Sequence, residues 1–346
     1  MAVYTINPIE DKRWYRFISE NPKATIFHHP AWLTVLKKQY GFSVFALAVI
    51  NGNDEITAGI PFCAVSGLFK KKWISLPFSD YSLPLFCHEE QLNEISVFLI
   101  NEHQKGKVDS IEVYWEINQS NGFAKDSSYV YHITELNKDE KGLFNSFHRT
   151  KCQGISKSIK QNLNTRFSLE PEAVEIFYDL HLKTRKKLGI PIQPKSFFFH
   201  IYEHILKNDL GFIVVVTKDN INLAAGLFMG FNDTLTYKYN ASDPDHLQYR
   251  PNNLIIWSAM CEGMKKGFKF FDFGKSDLAN EGLRSFKDGW SAVERPLYYS
   301  YLPALPSSNN SFDFIKDKLV APVIKSSPGI VCRLIGEVAY KYFPSI

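Results

Sequence analysis

Apolar positions along this chain switch between the spacing of a helix and the unbroken or alternating runs of strands. Asp11 to Ser19 and Pro30 to Tyr40 read as helices; in the second, Ala31, Trp32, Val35 and Leu36 share a face behind Pro30, a residue suited to a first helical position. Val44 to Ile50 is an apolar run of strand length, Asn51-Gly52-Asn53-Asp54 a hairpin turn, and Ile56 to Val65 the returning strand. Lys70-Lys71-Lys72 leads into a further strand, Trp73 to Phe78, and then Ser79-Asp80-Tyr81-Ser82 precedes Leu83-Pro84-Leu85. His88 to Lys105 is helical and stopped by Gly106, and Ser110 to Trp115 is a strand.

From Leu210 the order returns. Gly211 to Thr217 is a strand, Lys218-Asp219-Asn220 a turn, and Leu223 to Gly230 the returning strand, in which Ala225-Gly226-Leu227 matches Ala58-Gly59-Ile60. Thr234 to Asn240 is a strand, Asn252 to Lys266 a helix begun by Pro251 and stopped by Gly267, and Phe268 to Phe273 an aromatic strand broken by Gly274. Hairpin, strand, helix, strand thus occurs twice, a repeat about half the chain long that predicts two related α/β domains. After the last strand comes Gly282-Leu283-Arg284-Ser285-Phe286-Lys287, read as a loop with paired cations, then the strand Leu297 to Leu302. Those cations either face an anion or are solvated. Ser307 to Ser311 reads as a linker and Phe312 to Phe343 as two helices. With Lys316, Lys318, Lys325, Arg333 and Lys341 among apolar residues, that tail is expected to pack on the first domain, with contact to a membrane surface as the other reading.

Composition narrows the class. With 346 residues, 45% hydrophobic and 22% charged, the chain is globular and long enough for two cores. A net charge of +4 is too small to argue nucleic-acid binding from the total, so placement must carry it. Placement is suggestive: Lys141, Arg149, Lys151, Lys157, Lys160 and Arg166 fall in a stretch without an acid, and Lys183, Arg185, Lys186 and Lys187 follow near the end of a helix. The run either meets an anionic partner or is a solvated helix face. Cys63, Cys87, Cys152, Cys261 and Cys332 have no CxxC spacing and read as reduced thiols of a cytosolic protein. Met1 to Asp11 shows no secretory signal and no apolar run spans a bilayer, so at most peripheral contact with the inner face of a membrane is expected.

The repeated order is that of the GNAT acyltransferase fold, and the whole arrangement resembles the Fem family of aminoacyltransferases and its relatives in exopolysaccharide or lipid pathways. The stretches that carry the resemblance are His28-His29-Pro30-Ala31-Trp32, Ser75-Leu76-Pro77-Phe78-Ser79-Asp80-Tyr81, Arg149 to Leu163, Asn252-Asn253-Leu254-Ile255, and Asp272-Phe273-Gly274 with Gly282 to Lys287. They reach to about Leu302. The resemblance implies an α/β (α+β) protein of two tandem GNAT-like domains, 1–137 and 138–303, each a mixed sheet flanked by helices, with a helical extension, 304–346, and no coiled-coil arm. Two departures stand out: Ser82-Leu83-Pro84 replaces the small glycines that often follow the aspartate-tyrosine pair, and the coiled-coil arm is missing.

Carried over by motif, the resemblance makes Lys287 the lysine where donor and acceptor meet, with Arg284 beside it. Asp80 and Asp272 are candidate general bases, and Tyr81, Tyr239, Arg250 and Asn252 candidate substrate contacts. Arg149, Lys151, Lys157 and Lys160 would hold an anionic donor. The implied reaction moves an acyl or aminoacyl group from an activated donor, aminoacyl-tRNA or acyl-CoA, to an amine of a nucleotide- or lipid-linked envelope precursor. It uses no metal or other cofactor, binds no DNA, and is performed by a monomer. The turn from Asp243 to Asn253 has no glycine with which to cradle a CoA pyrophosphate, which argues for tRNA over CoA in this half. An RNA- or envelope-binding module without turnover is the reading from another class. His200-Ile201-Tyr202-Glu203-His204 matches an inverted zincin pattern, but its apolar flanks describe a packed helix, and it is read as structural, as are His28 and His29.

Overall fold

Thirteen strands form one mixed sheet in a computed structural model that describes residues 2–66, 71–117, 122–306 and 320–342. Lys70, the linker at Ser307 to Ser311, Lys316 and Lys318 lie outside the described residues. The strands are β1 (Val3–Ile6), β2 (Ser43–Ile50), β3 (Ile56–Ser66), β4 (Lys71–Ile74), β5 (Leu85–Phe86), β6 (Ser110–Val113) and β7 (Ala124–Glu135), then β8 (Asn164–Ser168), β9 (Gly211–Lys218), β10 (Ile221–Phe231), β11 (Thr234–Ser242), β12 (Phe270–Asp277) and β13 (Val293–Leu302). Their order across the sheet is β1-β2-β3-β4-β6-β13-β7-β12-β11-β10-β9-β8, with β5 added beside β3.

Read inward from either edge, that order meets the same pattern: a meander, then a parallel pair, then a long antiparallel centre. The parallel pairs are β4 with β6 and β11 with β12. The centre is the pair β13 and β7, and each also reaches across to the other half: β13 pairs β6, and β7 pairs β12. Strand β7, on the N-terminal side of the boundary expected at 137, is therefore bonded on both edges to strands from beyond it. The repeated glycines explain themselves here. A Cβ at Gly59 would lie 2.7 Å from the Trp14 ring, and one at Gly226 2.7 Å from Ile255, so each leaves room for a helix side chain to reach the sheet.

Helices cover both faces. In the first half are α1 (Lys12–Glu20), α2 (Pro30–Tyr40) and α3 (Glu89–Gln104); in the second are α4 (Glu140–Ser146), α5 (Arg149–Lys160), α6 (Pro171–Leu188), α7 (Lys195–His204), α8 (Pro251–Lys265) and α9 (Glu281–Asp288). Their ends follow the sequence signals: Asp11 accepts from Arg13 N, and Gly41 and Gly189 close α2 and α6 in the left-handed conformation. One core runs through both halves, joining Trp14, Phe27, Trp32 and Tyr81 to Phe177, Phe197 and Tyr299. A second lies under α8 and a third under α3.

The tail departs from expectation. Its described helices, α10 (Ala321–Ser326) and α11 (Gly329–Tyr342), pack on α6 of the second half. A first-half residue, Phe78, meets Tyr340 with ring centroids 5.7 Å apart. His200 and His204 of α7 stack on one another, 6.2 Å between centroids, on a helix that packs against α2.

Candidate active site

The parallel pairing of β11 with β12 ends at Thr236 opposite Asp272, and beyond it the ladder between β12 and β7 shifts register between Asp272 and Lys275. Gly274 sits in that irregularity at φ 68°, a left-handed conformation that glycine takes without strain. The carbonyls of Gly274 and Lys275 turn towards α9, and Lys287 donates to both, at 2.9 and 2.8 Å. Helix α9 is held for this. Asn280 caps its first turn by accepting from Leu283 N at 3.0 Å, and Trp290, buried just past its end, has its carbonyl bonded by Thr134 Oγ1 at 3.0 Å. The sequence stretch read as a loop is thus a short helix, because Asn280 supplies the cap that Gly282 alone would not suggest.

The other wall comes from the first half. The segment after β4 is pinned at several points: Ser75 N donates to Glu112 O at 2.8 Å, Tyr114 N to Ser75 Oγ at 2.7 Å, and Trp32 Nε1 to Ser79 Oγ at 2.9 Å. Tyr299 of β13 donates its hydroxyl to Asp80 O at 2.5 Å. Asp80 is thereby pressed against Gly274, where a Cβ would lie 2.7 Å from its Oδ2. Lys238 of β11 donates to the same oxygen at 3.2 Å. Next to it, Tyr81 donates its hydroxyl to Asp272 Oδ2 at 2.7 Å while Gly274 N donates to Asp272 Oδ1 at 2.7 Å.

The electrostatics of the cluster follow from its burial. Lys287 is 4% exposed, and loss of water pushes its ammonium down to about 8 although Asp80 and Asp272 pull the other way. Burial pushes the fully enclosed Asp272 carboxyl up to about 6, against the bonds from Tyr81 and Gly274. Lys275 is also lowered by burial and lies over the Tyr129 and Tyr299 rings, 4.4 and 5.0 Å from their centroids. A neutralisable lysine, two carboxylates and a second buried lysine, Lys238, therefore meet where the halves join. Such a cluster can both stabilise a developing oxyanion and take up a proton.

The remaining sequence candidates divide. Arg284 is held by Glu294, with Nε and Nη2 each 2.8 Å from a carboxylate oxygen, and also donates to Leu278 O. Glu294 in turn lies 3.1 Å from Nε2 of His132, which is wholly buried. Arg149, Lys157 and Lys160 line one cleft with Gln153 and Ser156. Lys151 leaves that row and lies over the Phe286 ring of α9, 3.9 Å from its centroid; burial, with Arg250 adding repulsion, pushes it down to about 8. Arg250 adopts φ 60° at the start of α8, its carbonyl accepting from Ser158 Oγ of α5 at 2.9 Å. Asn252 follows it with Oδ1 buried and unbonded. Tyr239 belongs to the aromatic wall of Phe177, His181, Phe197 and Phe198.

Sequence reasoning passed over Lys238, Lys275 and His132. For the lysines the signal was a cation inside a largely apolar strand pattern, TLTYKYNAS and FFDFGKSD, where a solvated charge has no place; His132 lies in the mostly polar strand Ala124–Glu135 and gave no such signal.

Residues 149–287 match the family model of the acetyltransferase (GNAT) domain. No curated protein matches the chain. Among solved structures, FemX is similar at a TM-score of 0.69 and 15% identity over 91% of this chain and 100% of that one. L-PGS from Bacillus licheniformis is similar at 0.52 and 14% over 88% and 99%, and a tandem GNAT protein from the clavulanic acid biosynthesis pathway at 0.54 and 8% over 86% and 98%. The chain has the fold of FemX, two GNAT-like halves sharing one sheet, with the acetyltransferase domain match ending at Lys287.

Proposed function

We propose that this chain transfers an aminoacyl group from aminoacyl-tRNA to an amine of a cell-envelope precursor. The observation that carries the reading is the buried Lys287 ammonium, tied to two carbonyls by two of its three N–H bonds and set beside Asp80, Asp272 and Tyr81 at the junction of the halves. Its third N–H is available to an oxygen of the substrate. The acceptor amine attacks the ester carbonyl carbon of the donor, forming the C–N bond, and Lys287 stabilises the oxyanion. Asp80, 22% exposed and held by Lys238, takes the proton the amine loses. The C–O bond then breaks and the terminal ribose hydroxyl leaves with a proton. Asp272 fixes the Tyr81 hydroxyl, which bounds the acceptor side. The cleft of Arg149, Lys157 and Lys160 would neutralise the phosphates of the donor.

Transfer from acyl-CoA to an amine of a sugar or lipid-linked glycan is the second reading, favoured by the acetyltransferase domain match. It is disfavoured by the glycine-free turn before α8, where Arg250 and Pro251 replace a run of amide donors.

Purified full-length protein incubated with labelled aminoacyl-tRNA and with nucleotide-linked or lipid-linked peptide precursors should yield an aminoacylated precursor. Lys287→Met should lower kcat by about 10²–10³-fold, the usual effect of removing one oxyanion donor. Thioester cleavage with acetyl-CoA and no transfer from tRNA would establish the second reading. Salt-sensitive binding without product would make the chain a binding module, and undiminished turnover by Lys287→Met would remove that residue from the chemistry.

A further inference from the structure

Helix α11 carries two unlike faces. One is locked into the protein: Cys332, Gly336 and Tyr340 are buried, and a Cβ at Gly336 would lie 1.8 Å from the Ile192 carbonyl oxygen. Tyr340 accepts a hydrogen bond from Arg185 and donates to Pro191 O at 3.2 Å, while Arg333 pairs with Asp179 of α6 at 3.4 Å. The helix therefore cannot turn about its axis without driving backbone into backbone. The other face is thereby fixed outward, and it is apolar: Ile330, Leu334 and Val338, four residues apart, are 69%, 63% and 60% exposed. Val323 of the preceding α10 is 47% exposed and Leu188, at the end of α6, 56%. Large aliphatic side chains spaced this way and held in water make an ordered stripe rather than scattered exposure.

Charge beside the stripe distinguishes what it fits. Lys183, Lys186, Lys187 and Lys325 line one cleft at the junction of α6 and α10. Lys183 is taken by Asp243 at 2.6 Å, leaving Lys186, Lys187 and Lys325 against Asp245 in the cleft and Glu337 on the helix. An apolar stripe with an excess of lysines at its edge is the pattern of a helix that lies in a bilayer interface over anionic headgroups. No helix among the described residues is long and apolar enough to cross a membrane, so contact here is lateral.

We infer that the face formed by α11, α10 and the end of α6 docks the protein onto an anionic lipid surface. Ile330, Leu334 and Val338 enter the headgroup boundary while Lys186, Lys187 and Lys325 meet lipid phosphates. The inference does not depend on the transfer reaction proposed above; it stands on the tail and α6 alone.

The test uses full-length protein sedimented with vesicles of phosphatidylcholine alone or with about one-third phosphatidylglycerol. The protein should pellet with the anionic vesicles and far less with the neutral ones. Ile330→Ser/Leu334→Ser/Val338→Ser should weaken partitioning by at least about tenfold through lost apolar burial. Lys186→Glu/Lys187→Glu/Lys325→Glu should abolish the preference for anionic lipid. All the changed side chains are exposed except the half-buried Lys186, and thermal melts check that both variants fold. Equal binding by the serine variant, or no binding by the wild type, overturns the inference. So does a wild-type dimer in sedimentation velocity that the serine variant dissolves, which would assign the stripe to a second copy. Binding of tRNA that the glutamate variant loses, without any vesicle binding, would assign the lysines to RNA instead.

Discussion

At the scale of single residues, the site turns on Lys287. Burial has pushed its ammonium down to about 8, so its charge is lost on raising the pH through that value. A reaction that needs the cation should therefore decline above about pH 8. Asp80 is the first of the neighbours that hold this value up, so Asp80→Asn should move the alkaline limb of kcat/KM to lower pH in the residual activity. Lys287→Arg, which stays charged, should remove the limb altogether. A pH–rate profile of the three proteins checks this, and an unmoved limb in Asp80→Asn would detach Asp80 from Lys287. The same lysine shapes stability: its folded value lies below the unfolded one of about 10.4, so the unfolded chain binds more protons between them and stability rises with pH across that window. Lys287, Asp80 and Asp272 were all visible in the sequence as members of motifs. That Tyr81 would bond Asp272, and that Lys238 would hold Asp80, was not, because these pairs lie far apart in the chain.

At the scale of elements, legibility followed locality. Helix α2 spans Pro30–Tyr40 as read, with Pro30 at its first position, and the hairpins around Asn51 to Asp54 and Lys218 to Asn220 formed as read. Strands β1, β7 and β8 went unread. Ala124 to Glu135 is polar on its outer positions, so its run of residues has no strong apolar alternation; what makes it a strand is pairing with β12 and β13, more than a hundred residues away. Helix α9 was read as a loop because Gly282 interrupts it, and its cap and its packing under Trp290 decided otherwise. Gly274 links these elements. Gly274→Ala would put a Cβ 2.7 Å from Asp80 Oδ2 at a left-handed φ, and should cost about 1–3 kcal/mol. A melt should fall by several degrees, with transfer reduced because the Lys287 and Asp80 walls are displaced together; a variant as stable as the wild type would contradict the close approach.

At the scale of the molecule, the two halves are not separable beads. The central pair β7 and β13 gives each half a strand bonded to the other, and one aromatic core runs beneath both. A fragment of residues 1–137 keeps β7 but lacks β12 and β13, leaving β7 without either partner and β6 with an open edge. It should be insoluble or lack the sheet signal in circular dichroism, and a soluble, cooperatively melting fragment would show that the first domain stands alone. The arrangement also explains why the candidate site sits between the halves: Asp80 and Tyr81 come from one, Lys287, Asp272 and Lys238 from the other.

By itself the sequence determined what depends on neighbours in the chain: the helices with their caps, the hairpins, the twofold recurrence of hairpin, strand, helix and strand, and the motif lysine in its stretch. Only the tertiary structure decided which strand closes which half, what keeps Lys287 out of water, and that the tail rests on α6 while Tyr340 also reaches Phe78 of the first half. The physical reason is that caps, turns and periodicity are short-range free energies written in consecutive residues, whereas desolvation and strand exchange depend on groups that the chain brings together only after folding.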